Sequence, residues 1–277
     1  MSTPSTVAVI QMNSGDDVAA NLAQAAALLE QAAAAGAVLA ALPENCAFMG
    51  ASERDKLAHA EADGAGPIQR FLAETAARLK LWVLAGTLPI RADKDHADVQ
   101  HVYAASCLYN AQGERAARYD KIHLFDVDVG SGERYRESNS ITPGAVTPTV
   151  VDSPCGRLGL SVCYDLRFPE LYRALVSQQA TVLSVPAAFT ATTGAAHWHT
   201  LLKARAVENQ CFVLAPGQCG THPGGRSTFG RSLILDPWGE TLAEVSDNTP
   251  GFAIASLDPN HLQAVRARFP ALTHRRL

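Results

Sequence analysis

Residues 157–170 read RLGLSVCYDLRFPE, and the rest of the predicted fold is built around them. The first six residues are a short apolar run typical of a buried strand, and Pro169 is typical of the first turn of a helix. Cys163 therefore lies on the turn from a strand into a helix. A side chain on such a turn projects past the strand end, where backbone N–H groups of the next helix converge. Cys163 is thus a candidate nucleophile, although a buried structural cysteine explains the same position.

The plan of strand, helix and strand occurs twice along the chain, and each time a proline follows the second strand. The segments are residues 6–11, 18–35 and 37–42 in the first unit, and 157–162, 169–178 and 180–185 in the second. Each unit favours two parallel neighbouring strands joined by a crossover helix. We therefore predict an α/β fold of two packed sheets with helices outside, whose strand ends bring Glu44 and Cys163 towards each other.

Two charged side chains emerge from strands of this predicted core. Glu44 follows the second strand, and a carboxylate at the end of a buried strand is costly unless it is paired or functional. Lys121 follows a hairpin at 102–109 and 114–119, and the chain has only five lysines against eighteen arginines, which favours a role for its compact ammonium. An exposed loop glutamate and a solvated lysine at a strand end are the simpler explanations.

The other predicted elements complete a single domain over residues 1–277. They are helices at 53–62, 67–79, 194–209 and 259–269, strands at 82–88, 211–215, 232–235, 241–245 and 251–257, and polar loops at 91–100 and 126–144. The second loop is long enough to be functional, and its Glu137 is the carboxylate that we expect to fold inward. A surface ion pair between Glu137 and an arginine is the simpler alternative.

The histidines and cysteines do not predict a metal site. His197 and His199 lie in the first turn of the helix predicted at 194–209, and residues two apart on a helix point to different faces. The six cysteines are scattered, with no C-x-x-C pair, so we expect free thiols in a reducing compartment. We therefore expect neither a metal nor a cofactor.

Composition and charge narrow the class of protein further. The net charge is −4 with no basic cluster, which argues against nucleic acid and anionic membranes as partners. The longest apolar stretch, residues 32–42, is too short to span a bilayer, and the first six residues lack the positive segment of a signal peptide. We expect a soluble cytoplasmic protein whose partner is a small molecule.

Three motifs together resemble the nitrilase-related carbon–nitrogen hydrolases. They are LPE at 42–44, YDKIHL at 119–124 and GLSVCYDLRFPE at 159–170, and the likeness runs from residue 7 to residue 239. The resemblance implies an α-β-β-α sandwich that assembles into homodimers or larger oligomers. It also implies that Glu44, Lys121 and Cys163 form one buried catalytic triad.

The resemblance gives each residue of the site a role. Cys163 would attack the amide carbon, and Glu44 would act as general base and then return the proton to the leaving amine. Lys121 and the backbone N–H of Tyr164 would stabilise the oxyanion. Glu137 falls where the family has a second glutamate that positions the lysine or the substrate.

Finer motifs point to the substrate. Tyr164-Asp165 is similar to the amidase branch rather than to enzymes that act on nitriles, and segments 137–140, 196–198, 204–208 and 218–222 resemble amidases that act on deaminated glutathione. Residues 223–225, PGG, depart from the charged residues typical of those enzymes. Arg167 or Arg226 can pair with a substrate carboxylate, although a structural ion pair explains either arginine.

Three alternative functions remain open from the sequence. An ω-amidase would act on free 2-oxoglutaramate and release ammonia. A catalytically silent binding protein on the same fold is disfavoured, because no triad position is substituted. A metal amidohydrolase built on His197 and His199 would lose its activity to chelators and would not depend on Cys163.

Overall fold

The computed structural model describes residues 3–92, 101–130 and 133–276. These residues contain five α-helices, namely α1 (Val18–Ala34), α2 (Pro67–Leu79), α3 (Pro169–Ser177), α4 (Ala191–Asn209) and α5 (Pro259–Arg268). Their strands are β1 (Ser5–Gln11), β2 (Leu39–Ala41), β3 (Trp82–Arg91), β4 (Val102–Tyr109), β5 (Arg115–Asp120), β6 (Asp126–Gly130), β7 (Glu133–Arg136), β8 (Val150–Ser153), β9 (Gly156–Leu160), β10 (Val182–Ser184), β11 (Phe212–Ala215), β12 (Cys219–Thr221), β13 (Ser227–Phe229), β14 (Leu233–Leu235), β15 (Thr241–Glu244) and β16 (Gly251–Leu257). Single 3-10 turns lie at Asp55–His59, Glu137–Asn139, Cys163–Arg167, Pro223–Gly225 and Ala271–His274.

Two six-stranded sheets carry most of these strands. The first sheet has the order β16-β1-β2-β3-β4-β5, and the second has the order β15-β14-β11-β10-β9-β8. In each sheet three central strands are parallel and antiparallel strands flank them. The parallel pairing of β1 with β2 and of β9 with β10 confirms both predicted crossover units. Two short hairpins, β6-β7 and β12-β13, lie outside the main sheets.

Alternate side chains of β1 show how the layers stack. Val7 and Val9 belong to the same apolar cluster as Leu158 of the second sheet, whereas Ala8 and Ile10 belong to the cluster formed with α1 and α2. Because successive side chains of a strand point to opposite faces, β1 is buried on both sides, and its sequence is a continuous apolar run. Complete burial of each large aliphatic side chain contributes roughly 1.5–3 kcal/mol. With α3 and α4 packed against the second sheet, the predicted α-β-β-α sandwich is confirmed.

Most predicted elements agree with the structure, and three differ. The helix predicted at 53–62 is only a 3-10 turn at Asp55–His59, because Ala60 is extended and Glu61 pairs with β3: its N–H donates to the Pro89 carbonyl at 2.9 Å. The loop predicted at 126–144 contains the β6-β7 hairpin. Helix α4 begins at Ala191, since Thr190 caps it through the Thr193 N–H, so His197 and His199 lie beyond its first turn.

Two further predictions concern the loop at 91–100 and the absence of a membrane-spanning segment. The loop predicted at 91–100 lies outside the described residues except at its first two positions. Within the described residues, none of the helices has both the length and the apolar composition needed to cross a bilayer.

Candidate active site

Glu44 is held in place by tight contact between two neighbouring strand ends. The chain leaves β2 through Leu42, whose N–H donates to the Leu84 carbonyl at 2.9 Å, and then passes against β3. A Cβ added at Gly86 would overlap the Pro43 carbonyl, so only glycine permits this approach. The Asn45 N–H donates to the Thr87 hydroxyl at 2.9 Å. The side chain of Glu44 lines a pocket together with Lys121 and Cys163, and the residue is 3% exposed.

Cys163 is the third residue after β9 and begins the 3-10 turn Cys163–Arg167. Its φ of +47° is left-handed, a conformation that non-glycine residues adopt rarely and that clusters at functional sites. Its N–H donates to the Pro186 carbonyl at 2.9 Å, which ties the turn to the chain leaving β10. The buried thiol lines the same pocket as the Glu44 carboxylate, whose negative charge helps to raise the pKa of the thiol. The predicted strand-to-turn position of Cys163 is therefore observed.

Lys121 joins two buried carboxylates. Its Nζ donates to Glu44 Oε1 at 2.8 Å and to Glu137 Oε1 and Oε2 at 2.9 and 2.7 Å, and its side chain is completely buried. The other carboxylate bonds come from the backbone: the Ala188 N–H donates to Glu44 Oε2 at 2.9 Å, and the Phe125 N–H donates to Glu137 Oε2 at 2.7 Å. The structure thus brings together Glu44, Lys121, Glu137 and Cys163.

Burial and charge set the protonation states of this cluster. Burial disfavours the carboxylate of Glu44, but the Lys121 ammonium holds its pKa below the ordinary value. Burial likewise opposes the ammonium of Lys121, yet the Glu137 and Glu44 carboxylates raise its pKa well above the ordinary value. Burial and the Glu44 carboxylate raise the pKa of the Cys163 thiol well above its ordinary value. At neutral pH the resting site therefore holds a carboxylate, an ammonium and an uncharged thiol.

The three predicted substrate-binding residues all line the small pocket above the sulfur. This inner pocket is lined by Glu44, Lys121, Phe125, Glu137, Cys163, Tyr164, Arg167, Ala188, Phe189, Thr190, Thr193 and Arg226. The Arg167 guanidinium lies over the rings of Tyr164 and Phe189, at 5.9 and 5.4 Å from their centroids. Arg226 donates to the Ala188 carbonyl at 2.8 Å. The inner pocket is nearly filled by these side chains, with a free volume of about 10 Å³.

The two histidines of the H-x-H pair do not line the inner pocket. His197 Nδ1 lies 3.4 Å from the Arg167 guanidinium, whereas His199 Nε2 lies 3.0 Å from Glu244. The two imidazoles therefore have different neighbours, as expected of residues two apart on a helix. Within the ranges that the structure describes, no three His, Cys, Asp or Glu side chains are grouped as metal ligands.

Asp165 connects the segment of Lys121 to the segment of Cys163, and we did not predict this from the sequence. It is completely buried, and its Oδ2 accepts hydrogen bonds from the Tyr119 hydroxyl at 2.7 Å and the Val162 N–H at 2.8 Å. Its Oδ1 accepts from the His123 N–H at 3.1 Å and contacts His123 Nδ1 at 2.7 Å. The residues two before and two after Lys121 are therefore tied to the Cys163 turn. The available clue in the sequence was a shared spacing: Tyr119 and His123 lie two residues from Lys121, and Asp165 lies two residues from Cys163.

The chain resembles known proteins along nearly its whole length. The carbon-nitrogen hydrolase family model matches residues 6–267. A deaminated glutathione amidase of Synechocystis sp. is 45% identical over 273 residues, which cover 98% of each chain. A deaminated glutathione amidase of Yersinia enterocolitica is 42% identical over 271 residues, 98% of this chain and 92% of the relative.

The fold comparison agrees with the sequence comparison. The crystal structure of the C. elegans NitFhit protein superposes with a TM-score of 0.91 at 35% identity. The match covers 100% of this chain and 66% of NitFhit, so this chain spans about two thirds of that protein. The chain described here therefore belongs to the carbon–nitrogen hydrolase family of the nitrilase superfamily.

Proposed function

We propose that this protein is a thiol amidase that hydrolyses the terminal amide of the 2-oxoglutaramate unit in deaminated glutathione. One observation carries the chemistry: the buried Cys163 thiol and the buried Glu44 carboxylate, which accepts from Lys121 Nζ, line the same small pocket. The choice of substrate is supported by relatives named deaminated glutathione amidase that are 42–45% identical over 98% of this chain. The products would be 2-oxoglutarate and cysteinylglycine.

The protonation states explain why a general base is needed. Because the pKa of the Cys163 thiol is raised, almost no thiolate is present before the substrate binds. Glu44 is ionised and lines the same pocket as the thiol, so it takes the proton as the sulfur attacks the amide carbon. It then donates that proton to the departing amine as the C–N bond breaks and a thioester remains.

The second half of the reaction uses the same carboxylate. Glu44 takes a proton from a water molecule as that water attacks the thioester carbon, and it gives the proton to the sulfur as the C–S bond breaks, which restores the thiol and the carboxylate. The Lys121 ammonium stabilises the negative charge on oxygen in both tetrahedral intermediates, together with the backbone N–H of Tyr164. Glu137 holds the ammonium in position through its two hydrogen bonds, and its charge keeps Lys121 protonated.

The acyl half of the substrate carries a carboxylate that needs a cation. Arg167 suits this role, since its contacts are with two rings and a histidine rather than with a carboxylate. Arg226 is already bonded to the Ala188 carbonyl and lies 3.7 Å from Glu53. Because the inner pocket has little free volume, Phe125, Tyr164 or Arg167 has to move when the acyl group binds.

An ω-amidase that acts on free 2-oxoglutaramate is the second candidate. The observation in its favour is the small inner pocket, which suits a substrate whose leaving group is only ammonia. Specific activities of the unmodified protein on deaminated glutathione and on 2-oxoglutaramate, measured side by side, distinguish the two. We expect the larger amide to be hydrolysed faster, and faster turnover of the free amide would establish the ω-amidase.

Replacing the nucleophile tests the amidase proposal against a silent binding protein. Cys163→Ala should fold normally, because a buried thiol is replaced by a smaller apolar group, and should hydrolyse neither amide. Circular dichroism confirms the fold and product release measures activity. If both amides are hydrolysed at unchanged rates by Cys163→Ala, or if the unmodified protein hydrolyses neither, the proposal is wrong.

We also propose a homodimer or larger homo-oligomer in the cytoplasm, with a small-molecule substrate and no nucleic-acid or membrane partner. An exposed apolar patch supports the oligomer: Trp238 is 45% and Phe269 is 57% exposed, and their rings meet edge-on at 6.1 Å. The net charge of −4 supports the absence of nucleic acid. Light scattering after size exclusion measures the mass, and a 29.4 kDa species would contradict the oligomer.

A further inference from the structure

A second, larger cavity opens beside the inner pocket, and Arg226 lines both. We call it the outer groove, and it is lined by Asn45, Phe48, Met49, Gly50, Ala51, Ser52, Glu53, Lys56, Arg134, Tyr135, Pro223, Gly224, Gly225 and Arg226. Its free volume is about 320 Å³, against about 10 Å³ for the inner pocket. We infer that the outer groove binds the leaving half of a substrate whose amine carries a carboxylate, with Lys56 as the partner of that carboxylate.

This inference rests on the proposed amidase function and adds the site of the leaving group. The acyl group of a thioester stays at Cys163, in the inner pocket, so the amine half has to extend away from the sulfur. Arg226 lies between the two cavities, because it lines the inner pocket together with Glu44 and also lines the outer groove. The guanidinium is held by the Ala188 carbonyl and lies over the Tyr135 ring at 4.9 Å. Arg226 is thus held in place at the boundary between the inner pocket and the outer groove.

Among the side chains that line the groove one cation is in excess, and the neighbouring Asp55 carboxylate is bonded to the Ser52 N–H and hydroxyl. Glu53 Oε1 lies 3.7 Å from Arg226, and Glu53 Oε2 lies 2.9 Å from Lys56 Nζ, so one carboxylate faces two cations. Arg134 is paired with Asp128 at 3.0 Å and does not add to the excess. The ammonium of Lys56 has three donors, of which Glu53 uses one, and its side chain is 13% exposed. The groove can therefore accept one anionic group.

The leaving half of the proposed substrate is two residues long. An extended chain spans about 3.3–3.6 Å per residue, so a dipeptide amine places its carboxylate about 7 Å beyond the scissile nitrogen. The Glu53 carboxylate lies between Arg226 and Lys56 and contacts both, so Lys56 is farther along the groove than Arg226. Ammonia, the leaving group of a free primary amide, would reach none of these residues. Lys56 should therefore discriminate between substrates that share one acyl group.

The experiment compares deaminated glutathione with 2-oxoglutaramate in the unmodified protein, Lys56→Gln and Lys56→Arg. The quantity measured is the ratio of kcat/KM for the larger substrate to kcat/KM for the smaller one. Lys56→Gln should lower this ratio at least tenfold, chiefly through a higher KM for deaminated glutathione, and Lys56→Arg should restore most of it. Lys80→Gln, which removes an exposed cation far from the groove in sequence, is the matched control and should leave the ratio within twofold.

Each other outcome counts against the inference. A ratio unchanged in Lys56→Gln would show that Lys56 only pairs with Glu53, as residues three apart often do. An equal loss of kcat/KM on both substrates would show that the substitution disturbs the inner pocket. If the unmodified protein hydrolyses neither amide, the proposed function itself fails. If it hydrolyses only 2-oxoglutaramate, the amidase chemistry stands and the groove assignment fails.

Discussion

Glu44 and Glu61 are two buried carboxylates, 3% and 6% exposed, and their surroundings differ in kind. Glu61 accepts hydrogen bonds from the Ile68 N–H at 2.6 Å and the Gln69 N–H at 3.1 Å, at the start of α2, and from Gln69 Nε2 at 3.1 Å. Its donors are all neutral groups fixed by the helix. A Cβ at Gly66 would overlap this carboxylate, so the backbone is packed directly around it. The Glu61 carboxylate accepts from N–H groups that would otherwise be unpaired at the start of a helix, and none of these donors is an acid that could transfer its proton in a reaction.

Glu44 has a similar number of partners but a different chemistry. One partner is a charged ammonium, one is a backbone N–H and one is a thiol that has a proton to give. The comparison teaches that burial of a carboxylate does not identify a catalytic residue. The charge of its partners and the presence of a transferable proton do so.

The largest expected effect is the loss of turnover in Glu44→Gln. A glutamine of the same shape cannot take the thiol proton, and general-base catalysis typically contributes about 10²–10⁴ in rate. The measurement is kcat on deaminated glutathione, with thermal unfolding as the control for stability. A variant that keeps more than a tenth of the activity would place Glu44 with Glu61 among the structural carboxylates.

Lys121→Met should be nearly as severe, and it should also lower stability. Loss of one oxyanion donor typically costs about 10²–10³ in rate. Removing the ammonium leaves Glu44 and Glu137 buried without their cation, which costs roughly 3–5 kcal/mol of unfolding free energy. Urea unfolding measures the second effect, and rates per folded molecule measure the first.

The two effects of Lys121→Met can be separated by pH. Protonation of the unpaired carboxylates removes their charge, so the stability deficit should shrink as the pH falls while the rate stays low. A deficit that is independent of pH would contradict the view that unpaired charge causes it.

The thiol of Cys163 should react in a way that depends on Glu44. Its raised pKa predicts that alkylation of the native protein is slow at neutral pH and accelerates only above pH 9. In Glu44→Gln the negative charge beside the sulfur is gone, so the thiolate is favoured and the alkylation midpoint should move to lower pH. Mass spectrometry of the Cys163 peptide across pH gives both midpoints. If the midpoint is the same in Glu44→Gln as in the unmodified protein, the Glu44 carboxylate is not the cause of the raised pKa of the thiol.

Glu61→Gln should have the smallest effect on activity and a moderate effect on stability. The amide keeps the shape but turns one acceptor into a donor facing the α2 N–H groups, at a cost of about 1–3 kcal/mol in unfolding free energy. The rate per folded molecule should stay within twofold. Glu30→Gln, in a half-exposed pair with Arg78, is the control and should cost less than about 1 kcal/mol. A large loss of turnover in Glu61→Gln would contradict the view that Glu61 is structural and Glu44 catalytic.

Sequence reasoning worked best for elements whose start and end are marked by local residues. Helix α2 is predicted at 67–79 and observed at Pro67–Leu79, because proline begins it and Lys80 ends it in a left-handed conformation. The β6-β7 hairpin was missed although Asp126 to Val129 alternates between polar and apolar residues, the pattern of a strand. The prediction of a helix at 53–62 was wrong because Glu61 pairs with β3, a contact between distant segments that ends the helical turn at His59.

For the active site too, sequence motifs predicted some residues and missed others. Glu44, Lys121, Cys163 and Glu137 were named from motifs, and the structure brings all four together. Asp165 and the Ala188 N–H were missed, because their partners are brought to them only by the packing of separate strand ends. The outer groove likewise combines residues near 50, 135 and 225, and no local pattern links them.

The amino-acid sequence by itself determined the order of helices and strands, the paired β-α-β plan and the family, because hydrophobic periodicity, capping and motifs are properties of neighbouring residues. Only the tertiary structure decided that Lys121 lies between two carboxylates, that the thiol stays protonated beside Glu44, and that Arg226 separates two cavities. These properties depend on burial and on distances between segments as far apart as residues 44 and 226. They come into existence only when the two sheets pack against each other and exclude water.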